Sequence, residues 1–126
     1  MRKVILIAGL AVVVVGLGIQ LVPVERSNPP VVAEVDAPAE VRAVLDAACF
    51  DCHSHRTRWP WYSRVAPMSW LVAHDVEEAR EKLNFSTWGI LEPRKQWKLM
   101  EEIGEEVEEG EMPLLMYRLA HPEARL

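Results

Sequence analysis

The residues best suited to chemistry lie at positions 49–53, where the chain reads Cys-Phe-Asp-Cys-His. Two thiols separated by two residues, with an imidazole directly after the second, form the pattern that attaches a c-type haem. In that chemistry each thiol adds to one vinyl group of the haem, and the histidine binds the iron from the proximal side. The motif therefore predicts one covalently bound haem c, held by Cys49, Cys52 and His53.

The same side chains have three other uses. A thioredoxin-like redox pair also has two cysteines at this spacing, but it belongs beside a βαβ unit, and the chain shows no such strands. A zinc site needs four ligands, and the candidates here are crowded between Cys49 and His55. A structural disulfide between Cys49 and Cys52 would close a very small loop and stabilise little. These uses stay open as alternatives to haem attachment.

A second iron ligand is expected on the distal side, where methionine is common in electron-transfer cytochromes and raises the potential. Met112 follows Gly110 and precedes Pro113, so it lies in a loop, whereas methionines in helical stripes more often fill a core. Met112 is therefore the predicted ligand, far enough along the chain from His53 for two helices to lie between them. The alternatives are Met68, Met100, Met116, His55, His74 and His121.

Five tryptophans in 126 residues are a further feature of the composition. Tryptophan offers a large apolar surface, so we expect Trp59, Trp61 and Trp70 to form walls of a haem pocket. An ordinary tryptophan-rich core is the alternative. Guanidinium groups match carboxylates, and three nearby arginines could pair with haem propionates or be solvated. They are Arg56, Arg58 and Arg64.

The N-terminal segment, positions 1–22, predicts a membrane anchor. Val4–Val22 is apolar except for Gln20. As a helix it would be about 28 Å long, close to the roughly 30 Å of a bilayer core. Arg2 and Lys3 favour a cytoplasmic N-terminus. A cleaved signal peptide is the alternative, but no Ala-x-Ala site follows. The sequence thus predicts a single-pass protein of the cell inner membrane, with the rest of the chain on the periplasmic or extracytoplasmic side.

Beyond the anchor, residues 23–36 form a proline-rich linker, and residues 37–126 form one small domain. Asp36 is expected to cap the first helix of this domain, which ends at the motif. Further helices are predicted over residues 67–83, 92–109 and 114–119, with Gly110 ending the longest. Trp97, Met100, Ile103 and Val107 mark its core stripe. No β alternation is visible, so the predicted fold class is all-α.

Charge narrows the set of partners. The formal net charge is −5, and without Arg2 and Lys3 the chain has 12 basic and 19 acidic residues, a net charge of −7. We therefore expect no nucleic-acid partner, because phosphate binding requires a basic face. The expected partners are the membrane and an unidentified redox protein, which an acidic block between Glu101 and Glu111 could dock if that protein is basic.

Several stretches together resemble one family. They are Cys-Phe-Asp-Cys-His-Ser, Trp-Pro-Trp-Tyr-Ser, Leu-Asn-Phe-Ser, Gly-Glu-Met-Pro and His-Pro-Glu-Ala, within residues 37–126. They resemble the bacterial haem-binding-domain family of cytochrome c-like proteins. This resemblance implies a small cytochrome c-like helical domain in the periplasm, behind an anchor or signal. It also implies one covalent haem on Cys49, Cys52 and His53, with Met112 as the axial ligand.

The predicted function is a membrane-tethered monohaem c-type cytochrome that transfers single electrons, more a carrier than an enzyme. A haem-based sensor or small haem peroxidase is the second hypothesis and requires a labile sixth ligand. A haemless thiol oxidoreductase that uses Cys49 and Cys52 is the third.

Overall fold

The computed structural model describes all 126 residues and contains α-helices and short 3₁₀ turns but no strand, which confirms the all-α prediction. The chain forms two compact units. The first, which we call the tether unit, comprises residues 1–26 and 59–74, and the second, the motif unit, comprises residues 27–58 and 75–126. The helices are α1 (Arg2–Gly18), α2 (Ala39–Ala48), α3 (Phe50–His53), α4 (Met68–Lys82), α5 (Pro93–Glu108) and α6 (Leu115–Ala120).

Helix α1 is apolar on all sides and has no buried residue. It continues as a 3₁₀ turn over Ile19–Leu21. Together they make one helix, Arg2–Leu21, that is long and apolar enough to cross a membrane. This agrees with the length and position expected from the sequence.

The tether unit is held together by polar contacts to main-chain groups. The Gln20 amide donates to the Ala66 carbonyl at 3.2 Å and accepts from the Ala66 N–H at 2.9 Å. Arg26 Nη1 donates to the Ser63 carbonyl at 3.1 Å. Because each contact satisfies main-chain groups in irregular backbone, the segment after residue 59 is fixed to the end of the apolar helix.

The start of α2 differs from the prediction. The helix begins at Ala39 after Pro38, no side chain caps it, and Asp36 is exposed. The fixed φ of a proline is already compatible with helix entry. The Pro38 carbonyl accepts the Arg42 N–H at 2.8 Å. The expectation that Asp36 caps this helix is therefore wrong.

The motif unit has a small aromatic core behind the motif. The rings of Phe50 and Phe85 lie 5.5 Å apart, and those of Phe85 and Trp88 stack at 5.8 Å. Phe50 and Phe85 are almost fully buried, as is Val76 of α4. This core fixes α3, and with it the motif, against the 3₁₀ turn Phe85–Ile90.

Part of the predicted linker is ordered against that turn. The Val35 N–H donates to the Phe85 carbonyl at 2.9 Å. The N–H groups of Ala33 and Val32 both donate to the Ser86 carbonyl, at 3.0 and 3.1 Å. Gly89 donates to the Ala33 carbonyl at 2.8 Å, and a Cβ at position 89 would lie 3.1 Å from the Ala33 Cβ. The close approach of the two backbones therefore favours glycine at position 89.

Helix α5 begins at Pro93 and is followed by Gly110 at φ 77°. This left-handed glycine confirms the predicted helix stop. The predicted core stripe of α5 is only partly correct. Ile103 and Val107 are half-buried, but Trp97 is 73% exposed and Met100 is 57% exposed. The inward face of the helix is rotated toward Leu99 and away from Trp97.

Candidate haem site

The motif unit contains a partly open cavity of about 240 Å³. Its volume is slightly below the roughly 300–1,000 Å³ of typical cofactor sites, and its open side allows an occupant to extend beyond the walls. Three of the predicted site residues line it: Cys49, His53 and Met112. The other lining residues, mostly apolar, are Lys82, Leu83, Phe85, Leu99, Glu102, Ile103, Glu106, Val107, Pro113 and Leu126.

Cys49 ends α2, and its backbone begins the turn that carries the motif. Its N–H donates to the Leu45 carbonyl at 2.9 Å, and its own carbonyl accepts from Cys52 at 3.2 Å and from His53 at 2.9 Å. The motif thus forms its own short helix, α3, after a break at Cys49. Neither thiol is in a disulfide; Cys49 lines the cavity, whereas half-buried Cys52 lies outside its lining.

His53 is held in one orientation by the C-terminal end of α4. Its Nδ1 lies 3.1 Å from the carbonyl oxygens of both Ala79 and Leu83, so Nδ1–H is the donor. Nε2 therefore carries the free lone pair, which is the arrangement of metal-binding histidines. Burial lowers the pKa of His53 and outweighs the opposing effect of these hydrogen bonds, so the neutral form needed for metal binding predominates at pH 7.

Met112 is positioned by the end of α5. Gly110 takes a left-handed conformation, as is common just after a helix. The chain then turns back so that Glu111 and Met112 both donate to the Glu106 carbonyl at 3.0 Å. Buried Pro113 follows. The loop that the sequence predicts around Met112 is thus a helix-ending turn, and it places this methionine in the lining of the cavity that His53 also lines.

This donor set fits a haem. The cavity combines apolar walls with an imidazole whose Nε2 is free and a thioether sulfur, which are the groups that bind haem iron in cytochromes c. Burial raises the pKa of Cys49 to about 11. The pKa of Cys52 also rises to about 11, first through burial and then through the nearby Asp51 carboxylate. Both are therefore neutral thiols at pH 7.

Asp51 is a structural residue within the motif that sequence reasoning missed. Its Oδ1 accepts from the Arg58 backbone N–H at 2.9 Å and from Arg58 Nε at 3.0 Å. Its Oδ2 accepts from Arg58 Nη2 at 3.0 Å and from the Tyr117 hydroxyl at 2.7 Å. The carboxylate therefore ties the turn between the two cysteines to α6. Burial alone would raise the pKa of Asp51, but these hydrogen bonds outweigh it and lower the pKa.

Replacing Asp51 by asparagine is expected to lower the free energy of unfolding by about 2–3 kcal/mol, because charge-assisted bonds are lost around a buried group. Urea denaturation measures this difference. Asp46→Asn is the matched control, since that side chain is 54% exposed and its pair with Arg42 spans 3.8 Å. Losing an exposed ion pair of this kind should lower the free energy of unfolding by less than about 0.5 kcal/mol. Equal losses in the two variants would contradict the structural role of Asp51.

The contribution of Asp51 to the free energy of unfolding should also depend on pH. Its pKa is lower in the folded chain than in the unfolded chain. The stabilisation is therefore complete above the ordinary value of about 4 and is lost as the pH falls through the lowered value. The stability gap between the wild type and Asp51→Asn is therefore expected to shrink at acidic pH, which urea titrations at a series of pH values would show.

Arg80 is a second residue that sequence reasoning missed. Its Nε donates to the Ser54 carbonyl at 2.8 Å, and its Nη2 donates to Asn28 Oδ1 and Thr57 Oγ1 at 2.9 Å each. Its Nη1 donates to the Ser27 carbonyl at 3.0 Å. One guanidinium on α4 thus fixes the chain leaving the motif and the chain entering the motif unit. Its position in a polar, glutamate-rich stretch of sequence gave no signal of this role.

The predicted aromatic walls lie in the tether unit. Trp59 is half-buried, whereas Trp61 is 77% exposed and Trp70 is 38% exposed. The cavity lining consists only of motif-unit residues and includes none of these three. Their role as pocket walls stays a prediction. Among the arginines, Arg56 forms an ion pair with Glu34 at 2.8 Å and Arg58 one with Asp51, while Arg64 is exposed.

The alternative iron ligands are placed elsewhere. His55 uses both ring nitrogens, at 2.9 Å from the Pro30 carbonyl and 2.8 Å from Asn84 Nδ2. His121 stacks on Tyr117 with ring centres 4.3 Å apart. The cavity lining includes neither of these, nor Met68, His74, Met100 or Met116. No group of three or more His, Cys, Asp or Glu side chains is close enough to hold a metal ion, so the zinc alternative lacks a ligand set.

Comparison with known families gives one match. The model of a family described as "Haem-binding domain" matches residues 14–126, which is most of the chain. Neither the curated proteins nor the solved structures contain a significant match. The family match covers the motif, the cavity and Met112, and the chain therefore belongs to the haem-binding-domain family.

Proposed function

We propose that this chain is a membrane-tethered monohaem c-type cytochrome that carries single electrons. The observation that carries the proposal is the shared cavity of Cys49, His53 and Met112, in which the Nε2 lone pair of His53 is free. A thiol, an oriented imidazole and a thioether sulfur in one apolar cavity are groups that would hold a covalently attached haem.

Attachment in this proposal uses Cys49 and Cys52. Each S–H would add across one vinyl C=C bond of the haem: sulfur would bond to one carbon and hydrogen to the other, with no oxidant consumed. Burial raises the pKa of both thiols, so each would be in the neutral S–H form before the addition. Cys49 lies at the break between α2 and α3, and Cys52 lies within α3, so the two cysteines do not share one continuous helix.

His53 and Met112 are the residues that would bind the haem iron. The bound haem supplies one-electron chemistry through its iron, and the chain supplies burial, ligands and orientation. The carbonyls of Ala79 and Leu83 hold the His53 ring and increase its basicity as a ligand. These two hydrogen bonds would keep the His53 ring in one orientation toward a bound haem.

The proposed anchor is α1 with its 3₁₀ extension. A helix that is apolar on all sides, without one buried residue, is unstable in water and stable in a bilayer. Arg2 and Lys3 place its N-terminus on the cytoplasmic side in this proposal. The motif unit then lies on the periplasmic side of the inner membrane, where disulfide- and haem-attachment chemistry on thiols is possible.

A redox partner with a basic surface is part of the proposal. The second half of α5 and the residues after it carry a run of acidic side chains, most of them exposed, and Glu102 and Glu106 of this run also line the cavity. Such a face raises the rate of encounter with a cationic partner. The run comprises Glu101, Glu102, Glu105, Glu106, Glu108, Glu109 and Glu111.

A haem-based sensor or small peroxidase is the second candidate, and it requires a sixth position that opens. Met112 lines the cavity, which favours the closed form. A haemless thiol oxidoreductase is disfavoured because its attacking thiol needs a lowered pKa, whereas burial raises the pKa of both cysteines here.

Optical redox titration of the purified full chain, in the presence and absence of carbon monoxide, tests the proposal. A reversible one-electron transition with six-coordinate spectra in both oxidation states, and no rapid carbon monoxide binding, is the expected result. A five-coordinate reduced form that binds carbon monoxide at once and turns over peroxide would favour the second candidate. A chain that acquires no haem in cells with haem-attachment machinery would leave only the thiol oxidoreductase.

A further inference from the structure

The tether unit has an outward apolar surface that does not line the cavity. Between Trp61 and Leu71 the small residues Ser63, Ala66 and Ser69 are buried, and the large apolar residues between them are exposed. The exposed fractions are 77% for Trp61, 47% for Val65, 37% for Met68, 38% for Trp70 and 48% for Leu71. We call residues 61–71 the interfacial segment.

This distribution of small buried and large exposed apolar side chains is the opposite of that on a surface that faces water. In water, large apolar side chains pack inward, and contiguous exposed apolar patches mark sites that meet another apolar phase. Here the inward positions are occupied by two serines and one alanine. Ser63 Oγ donates to the Pro60 carbonyl at 2.6 Å, so this inward hydroxyl is satisfied by the backbone just before the segment.

The segment is fixed at the end of the apolar helix. The paired hydrogen bonds between the Gln20 amide and the Ala66 backbone join the two directly. Gln20 lies just before Val22, where the apolar stretch ends. That separation is about 3–4 Å along the helix axis. In a bilayer spanned by this helix, Ala66 is therefore at the level where hydrocarbon meets headgroups.

We propose that the interfacial segment lies in the membrane interface and binds lipid through Trp61 and its exposed apolar neighbours. This inference rests on the proposed membrane anchoring of α1. Tryptophan is suited to that depth because its ring is apolar and its N–H stays near water. The two Gln20 hydrogen bonds also satisfy polar groups at a level where water is scarce. The chain is thus held at the membrane by a helix and by a surface-lying segment that shares its interface.

Quenching by brominated lipids tests this proposal. The full chain is reconstituted into vesicles of phosphatidylcholine with a minor fraction of phosphatidylglycerol, with and without bromine near the headgroup end of the acyl chains. A bound haem would also quench tryptophan fluorescence. The brominated and unbrominated vesicles are therefore compared with the haem in the same oxidation state, so that the difference in fluorescence reports quenching by lipid alone. The quenched fraction of the tryptophan fluorescence is expected to fall at least about twofold when Trp61 and Trp70 are both replaced by phenylalanine.

Trp97→Phe is the matched control, because Trp97 is similarly exposed, at 73%, but belongs to α5 of the motif unit. It should leave the lipid-quenched signal intact. Vesicle-bound protein whose quenching is unchanged in Trp61→Phe/Trp70→Phe would overturn this inference and leave the anchor in place. A shift of the Soret band in the double variant, with quenching by brominated lipid unchanged, would also overturn the inference. It would instead assign Trp61 and Trp70 to contact with the haem. Failure of the wild type to float with vesicles would overturn both the anchor and the inference.

Discussion

Replacing Cys49 and Cys52 together by alanine is expected to abolish covalent haem attachment completely. Each thiol supplies the sulfur of one thioether, and no other cysteine is present in the chain. The variant and the wild type are expressed with haem-attachment machinery, and denaturing gels are stained for haem. The wild type should give a stained band at the chain's mobility, and the double variant should give none.

The two single variants serve as controls for this loss. Cys49→Ala and Cys52→Ala each keep one thiol, so each can form one thioether and should give a weaker stained band. The cavity contains Cys49 but not Cys52 in its lining, so we expect the larger loss from Cys49→Ala. Staining that persists at the wild-type level in the double variant would show that attachment does not use this motif.

Replacing Met112 by alanine is expected to remove the methionine–iron charge-transfer band of the oxidised protein. Thioether ligation raises the potential of haem iron, so the midpoint potential should also fall. A fall on the order of 0.1 V is expected, which is a modest part of the roughly 0.8 V that axial ligands span. Absorption spectroscopy and optical redox titration measure the two effects on the same sample.

Met116→Ala is the matched control for this result. Met116 lies four residues further along the chain, in α6, is 66% exposed and does not line the cavity. Its loss should change neither the band nor the potential. An unchanged spectrum in Met112→Ala would remove Met112 as the ligand, and a lost band in Met116→Ala would assign the role to that residue.

Features that depend on neighbouring residues were predictable from the sequence. The end of α5 at Gly110 follows from the left-handed conformation that glycine adopts, and the position of Met112 just after that stop follows with it. The long apolar helix at the N-terminus was predictable because it depends on the length and composition of one segment. In each case one stretch of chain contains the whole physical cause.

Features that depend on contacts between distant residues were not predictable. The carbonyls that orient His53 come from Ala79 and Leu83, 26 and 30 residues away. Tyr117 reaches Asp51 across 66 residues. No local pattern of residue types specifies such pairs.

The periodicity of apolar residues also predicted, wrongly, that Trp97 and Met100 belong to the inward face of α5. Both residues are apolar, so a stripe drawn from residue type alone includes them. The face that lines the cavity instead includes Leu99, Ile103 and Val107. A packed partner decides which part of an apolar stripe is covered, and that partner is set by tertiary structure.

The intact mass of the purified chain, produced in cells with haem-attachment machinery, tests the central claim most directly. The account predicts a single species whose mass under denaturing conditions exceeds that of the polypeptide by one haem. That species should give a bis-thioether haem peptide that contains Cys49 and Cys52 after proteolysis. A chain with the polypeptide mass alone, or with haem that dissociates on denaturation, would contradict it.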